Sequence, residues 1–207
     1  MTMMTLKIHG VGILKMVILF TPNWHNIAFY SITILWILEF ILVPSQHSSV
    51  SYEEKRSFGF ILGAIVSIIL VTGFWILLEF ELWYQAPPLW IQITGLGVYG
   101  FGLVFRYWSI KTLGAFFTRN VSVEENQTLI SHGPYKIFRH PAYVGLFLLG
   151  IATPLYFGHI PGLILGIILM GLTLRHRMIL EENALEKDNP NYKTWKQSRY
   201  RFIPFIY

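Results

Sequence analysis

The sequence has 207 residues, of which 54% are hydrophobic, 16% aromatic and only 13% charged. Soluble domains carry about 25% charged residues, so this composition argues against a soluble globular enzyme, a disordered chain and a basic nucleic-acid-binding module. The absence of cysteine excludes a disulfide scaffold, a cysteine-ligated zinc site and a thiol nucleophile. In so apolar a chain, the location of the net charge of +5 matters more than its sum.

Apolar stretches predict an all-α integral membrane protein with about five transmembrane helices. A helix that crosses the hydrocarbon needs about 20 apolar residues, and stretches of this kind occupy residues 27–43, 58–80, 88–105, 142–157 and 160–174. A shorter apolar stretch at 11–20 contains Lys15 and predicts an interfacial or re-entrant helix. The rival interpretation is a signal peptide, but no small-residue cleavage site follows the stretch.

Basic residues alternate along the predicted loops. Successive loops hold two, none, five, none and seven Lys or Arg residues, with the five in 106–140 and the seven from Arg175 onward. Because cytoplasmic loops carry the excess of basic residues, we expect a multi-pass protein whose N-terminus lies outside and whose C-terminus lies in the cytoplasm.

Two acids and several glycines lie within the apolar stretches. Acids inside a membrane are functional by default, but the sequence assigns no role to Glu39, which could bond within the bundle, or to Glu79, which lies near a span end. Gly59-x-x-x-Gly63, Gly162-x-x-x-Gly166 and the glycines of the third span predict close helix packing.

A dense polar segment precedes the fourth span. Gly133-Pro134 predicts a turn, and Pro141 is well placed as the first residue of a helix. The free N–H groups and positive dipole end of that helix could hold an anion, with basic and aromatic groups nearby in Tyr135, Arg139, His140 and Tyr143. This pattern suits a ligand with a carboxylate or phosphate and a flat ring. The plainer interpretation is a membrane turn with ordinary interfacial aromatics.

A second charged group follows the fifth span. Arg177 and Glu181 are four residues apart and therefore share one helical face. The plainer interpretation is an interfacial helix whose basic residues reach the headgroups. Arg before Glu is the weaker order for a helical ion pair, so pairing is not the obvious purpose of these residues.

These motifs resemble the isoprenylcysteine carboxyl methyltransferase family, within the broader membrane methyltransferases that include phospholipid methyltransferases. The resemblance runs over the second half of the chain, through Arg106-Tyr107-Trp108, Gly133-Pro134-Tyr135, Arg139-His140-Pro141-Ala142-Tyr143, Glu181-Glu182 and Ile203-Pro204. It divides the chain into an N-terminal membrane region, residues 1–105, with the interfacial helix and three spans, and a methyltransferase core, residues 106–207.

The resemblance implies S-adenosylmethionine as cofactor, in a cytoplasmic-face pocket formed by the C-terminal half. The residues that match the family's cofactor positions or flank them are Gln127, Thr128, Leu129, Ile130, Gly133, Tyr135, Arg139, His140, Pro141, Ala142, Tyr143 and Glu181. The family's substrate-facing arginine falls on Arg177, which would orient an acceptor carboxylate for direct methyl transfer. No metal is implied.

The acceptor is less closely specified than the cofactor. We expect a lipophilic molecule, either a carboxylate of the isoprenylcysteine type or a hydroxyl of a lipid or polyketide, with membrane lipids as the surroundings and no nucleic acid partner. One alternative is an NADPH-dependent sterol-type reductase, which has a similar Arg-His-Pro-x-Tyr ending but is typically longer and has more spans. Another is a non-enzymatic membrane protein that uses the motifs for packing.

Overall fold

Six α-helices make up most of the chain that the computed structural model describes, which is residues 23–42, 52–82, 87–117 and 129–202. They are α1 (Trp24–Leu42), α2 (Tyr52–Leu82), α3 (Leu89–Leu113), α4 (Pro141–Tyr156), α5 (Ile160–Asp188) and α6 (Tyr192–Gln197). Short 3₁₀ turns occupy Gly114–Phe116 and Gly133–Lys136. Within these ranges the β-structure is a single isolated bridge between Phe138 and Tyr200.

The predicted all-α membrane class is confirmed. Three helical segments are long and apolar enough to cross a membrane, namely Arg56–Phe74 of α2, all of α3 and α5. Helix α4 is also apolar but shorter, at 16 residues. The total of five spans stays a prediction, and the predicted interfacial helix at 11–20 lies outside the described residues.

Three helices continue well beyond the apolar stretches that predicted them, and α2 begins at Tyr52 rather than at Phe58. Helix α3 ends at Leu113 rather than at Phe105, and α5 runs 29 residues to Asp188 rather than ending at Leu174. The reason is physical, because hydropathy marks where lipid contact ends and not where the backbone stops making helical hydrogen bonds. The extensions matter because they carry Arg106, Arg177 and Glu181.

Glycines let α3 and α4 approach closely. A Cβ atom added to Gly95 would lie 2.5 Å from the Cα of Tyr156, and one added to Gly145 would lie 2.6 Å from the Cβ of Arg106. At Gly102 the added atom would lie 3.2 Å from the carbonyl oxygen of Gly145. Small residues at such crossings allow the dense packing that holds helices together in lipid.

The other glycine predictions have different outcomes. Gly162 and Gly166 face neighbouring helices, since a Cβ on Gly162 would lie 2.7 Å from the Thr72 hydroxyl of α2. The prediction for Gly59, Gly63 and Gly97 is wrong within the described part of the chain, because an added Cβ at any of these positions would meet none of the described residues within 4 Å. Spacing alone cannot tell which face of a helix meets a partner.

Polar and aromatic contacts attach α1 to this bundle. Phe29 stacks on Tyr156 of α4 with ring centroids 4.4 Å apart. The Tyr156 hydroxyl donates to Asn26 at 2.6 Å, and the Tyr99 hydroxyl of α3 donates to Thr33 at 3.1 Å. Helix α1 therefore packs where α3 and α4 meet.

The two environments on α3 give a matched test of the glycine contact. We expect Gly95→Ala to destabilise the protein by about 1–3 kcal/mol, because the added methyl group must displace the α4 backbone. Gly97→Ala is the control, since its Cβ has open space and alanine improves helix propensity by about 1 kcal/mol. Thermal unfolding in detergent measures both, and equal stability of the two variants would contradict the packing.

Candidate active site

The segment before α4 forms the predicted turn. Gly133 has a φ of +57°, which favours glycine, and begins the 3₁₀ turn that carries Tyr135. A Cβ on Gly133 would lie 3.1 Å from the Thr112 hydroxyl, so the turn rests against the end of α3. Tyr135 is buried, which raises the pKa of its phenol, and the nearby Glu181 carboxylate raises it further. The phenol is therefore a neutral hydrogen-bonding group at physiological pH.

The end of the described chain pairs with this segment, a contact that the sequence did not predict. The Arg139 N–H donates to the Tyr200 carbonyl at 2.8 Å, and the Tyr200 N–H donates to the Ile137 carbonyl at 2.9 Å. Nε of Arg199 donates to the Tyr135 carbonyl at 2.8 Å. These pairings fix the entry to α4, and no local sequence pattern marks them because the partners lie about 60 residues apart.

Glu182 of α5 is the centre of a buried charge cluster. Its carboxylate accepts hydrogen bonds from Arg201 at 2.6 and 3.0 Å and from Arg139 at 3.3 Å, and lies 3.2 Å from Nε2 of His140. Arg139 also donates to the Arg199 carbonyl. Arg139 and His140, both predicted cofactor positions, therefore help to hold α5 against the beginning of α4.

The Tyr143 hydroxyl joins the two residues singled out on α5. It donates to Oε2 of Glu181 at 2.8 Å and accepts from Nε of Arg177 at 3.2 Å. The His140 ring stacks on the Tyr143 ring with centroids 5.6 Å apart, and its Nδ1 lies 3.7 Å from Oε2 of Glu181. Tyr143, Arg177, Glu181 and His140 thus form one group, and their roles in binding stay a prediction.

The arginine and the acid of this group differ in solvent exposure. Arg177 is buried, with 2% of its surface exposed, whereas 30% of the Glu181 side chain is exposed. Nη1 of Arg177 donates to the hydroxyl of Ser57 on α2 at 2.6 Å. Ser57 was not predicted, because a serine at the start of an apolar span carries no signal by itself.

A buried ion pair links α1 to the beginning of α4. Nε and Nη2 of Arg106 donate to the two carboxylate oxygens of Glu39 at 2.7 and 3.0 Å, and Nη1 donates to the Ala142 carbonyl at 3.2 Å. Both side chains are about 6% exposed. Glu39 therefore bonds within the bundle. An acid inside one apolar stretch and an arginine directly after another were the signal that could have found the pair.

The remaining predicted positions either surround this group or lie outside the described residues. Pro141 and Ala142 are buried in the first turn of α4, and Gly133 is exposed. Leu129 and Ile130 are half-buried at the start of the described segment. Gln127 and Thr128 lie outside the described residues, as do Ile203 and Pro204.

Part of the chain matches a known protein family. The sequence model of the isoprenylcysteine carboxyl methyltransferase family matches residues 95–187. The resemblance seen in the motifs is confirmed. The chain is 29% identical to the human protein-S-isoprenylcysteine O-methyltransferase over 140 residues, which cover 63% of this chain and 48% of that protein. It is 30% identical to the enzyme of the same name from Tribolium castaneum over 176 residues, 80% of this chain and 59% of that protein.

A solved structure shares the fold. It is the structure of the eukaryotic intramembrane Ras methyltransferase of this family, which aligns with a TM-score of 0.57 and 22% identity over 88% of this chain and 63% of that chain. The chain spans about half the length of the curated relatives it matches. These comparisons give no support to the reductase alternative.

The ion pair gives a stability prediction. We expect Glu39→Ala to destabilise the protein by about 3–5 kcal/mol, because it leaves the Arg106 charge buried without its carboxylate. The control is Glu186→Ala, which breaks the more exposed pair with Lys196 and should cost at most about 1 kcal/mol. Thermal or detergent-induced unfolding measures both. A Glu39→Ala cost no larger than that of the control would show that the pair carries little of the stability.

Proposed function

We propose that this chain is a membrane methyltransferase that uses S-adenosylmethionine to methylate a lipophilic carboxylate of the isoprenylcysteine type. The supporting observation is the hydroxyl of Tyr143, which contacts both Glu181 and Arg177. The residue proposed to hold the cofactor and the residue proposed to hold the acceptor therefore share one hydrogen-bonding atom. Two reactants bound on either side of this atom would lie close enough for direct transfer.

The residues around Tyr143 fit the chemistry of the cofactor. S-adenosylmethionine carries a sulfonium, an ammonium and a carboxylate. The partly exposed Glu181 carboxylate could accept hydrogen bonds from the ammonium or the ribose, and the tyrosine rings could attract the sulfonium as in cation–π contacts. The beginning of α4, with its positive dipole end, suits the cofactor carboxylate. When bound, the cofactor would supply an activated methyl group.

Arg177 suits the acceptor. A guanidinium can bind a carboxylate through two parallel hydrogen bonds, which fixes the plane of the carboxylate. The acceptor carboxylate is already ionised at neutral pH, so the reaction needs no general base. Arg177 would hold the carboxylate oxygen toward the methyl group that the bound cofactor would supply, and the cofactor sulfur would be released as a neutral thioether. The work of the protein is alignment of oxygen, carbon and sulfur.

We also propose the predicted arrangement in the membrane, with five spans and the site at the cytoplasmic face. It is supported by the position of Arg177 and Glu181 in α5 beyond the apolar stretch 160–174, together with the basic residues of the two flanking regions. A lipophilic acceptor could then keep its chain among the apolar helices while its carboxylate reaches Arg177.

Arg177 and Glu181 of α5 should have separate roles, the first in holding the acceptor and the second in binding the cofactor. We expect Arg177→Lys, which keeps the charge but loses the planar fork, to reduce transfer by about 100-fold or more while cofactor affinity changes little. We expect Glu181→Gln to weaken binding of S-adenosylhomocysteine by about 10-fold, as loss of a charged hydrogen bond does. Isothermal titration and initial rates of transfer measure the two effects separately.

Arg175→Ala is the matched control for both variants, because Arg175 lies on the same helix with an exposed side chain. It should leave cofactor affinity and rate unchanged. Equal losses of cofactor affinity in Arg177→Lys and Glu181→Gln would contradict the proposed division.

The product identifies the acceptor group. We expect membranes that contain the protein to transfer labelled methyl from S-adenosylmethionine to an N-acetylated S-prenylcysteine, and the label to be released by mild base as a carboxyl methyl ester is. A base-stable product would indicate methylation of a hydroxyl instead. Thermal stabilisation by NADPH and not by S-adenosylhomocysteine would overturn the proposal in favour of a reductase.

A further inference from the structure

Helix α2 contacts the proposed acceptor-binding arginine directly. The hydroxyl of Ser57 accepts a hydrogen bond of 2.6 Å from Nη1 of Arg177, across 120 residues of sequence. Ser57 is 1% exposed and Arg177 is 2% exposed. Ser57 also lies outside the segment that matches the family model, residues 95–187.

Two helices together fix the orientation of the guanidinium group. Tyr143 of α4 accepts from Nε of Arg177, and Ser57 of α2 accepts from Nη1. These nitrogens are different atoms of one rigid plane, so the two contacts limit both the position of the group and its rotation about the end of the side chain. An arginine side chain has several rotatable bonds and loses conformational entropy when it is fixed. A site that fixes the side chain before the acceptor arrives binds the acceptor more tightly.

We propose that Ser57 is a positioning residue for methyl transfer, which holds the Arg177 guanidinium in the plane that the acceptor carboxylate requires. This inference rests on the proposed function of Arg177. Ser57 acts through Arg177 and touches neither cofactor nor acceptor. Helix α2, from the half of the chain outside the family match, thereby becomes part of the active site.

The chain offers a matched control for this hydroxyl. Ser109 of α3 is also fully buried, but its hydroxyl donates to the Phe105 carbonyl of its own helix at 2.7 Å. Removing that hydroxyl breaks a local bond and leaves the site contacts unchanged. Ser109→Ala therefore measures what the loss of a buried serine does by itself.

The experiment compares variants of the full chain in detergent or nanodiscs, with S-adenosylmethionine and an N-acetylated S-prenylcysteine as substrates. We expect Ser57→Ala to lower kcat/KM for the acceptor by about 10- to 100-fold, as misplacement of a reacting group does. The affinity for S-adenosylhomocysteine should not change. Ser109→Ala should keep the wild-type kcat/KM.

Two further variants separate positioning from packing. Ser57→Cys keeps the shape of the side chain with a slightly larger terminal atom, but replaces the hydroxyl with a weak hydrogen-bonding group. It should therefore lose activity as Ser57→Ala does, and it replaces the alanine variant if that variant does not fold. In an Arg177→Lys background, Ser57→Ala should cause little additional loss, because residues that act through one another are not additive. Full activity of Ser57→Ala or Ser57→Cys, or fully multiplicative losses, would overturn the inference.

The wild-type protein distinguishes this inference from the proposed function. If it transfers methyl to the prenylcysteine and Ser57→Ala does so equally well, only the role of Ser57 fails. If the wild-type protein binds S-adenosylhomocysteine but methylates no carboxylate, the proposed acceptor fails, and the role of Ser57 fails with it.

Discussion

The contact between Arg106 and Glu39 is the constraint on which the arrangement of the site depends. Charges are costly inside a membrane bundle, and both side chains are almost completely buried. The two side chains compensate each other's charge through two parallel hydrogen bonds. A third hydrogen bond joins Arg106 to the Ala142 carbonyl in the first turn of α4. A single guanidinium therefore connects α1 and α3 to the helix that begins with the site residues.

The position of α4 is fixed in two complementary ways. The close approach at Gly95 and Gly145 sets its distance from α3, since a methyl group at either glycine would overlap the opposite backbone. The charge cluster around Glu182 sets the direction of the chain that enters the helix. Tyr143 follows three residues after His140 in the first turn of α4, where its hydroxyl lies against α5. Its contacts with the arginine and the acid of α5 are a consequence of this packing.

Much of this organisation could be predicted from the sequence, because it depends on local patterns. Long apolar stretches predicted membrane helices, Gly133-Pro134 predicted the turn before α4, and the spacing of Arg177 and Glu181 placed both on one face.

Contacts between distant segments could not be predicted in the same way. Glu39 and Ser57 contact arginines that lie 67 and 120 residues away, and the pairing before α4 depends on the folded C-terminal segment. The wrong prediction for the glycine pair of α2 has the same origin, since a spacing does not specify a facing helix.

Because of these long-range contacts, the predicted division of the chain at residue 105 does not separate the site from the N-terminal helices. The family match begins at residue 95 and includes most of α3, all of α4 and nearly all of α5. Yet α1 supplies the carboxylate that compensates Arg106, and α2 supplies the hydroxyl that contacts Arg177. Without these two helices the matched segment would retain both arginines in an apolar bundle but lose contacts that compensate their charge and orient them. The N-terminal helices are therefore structural partners of the site, and the geometry of the motif residues depends on side chains that no motif contains.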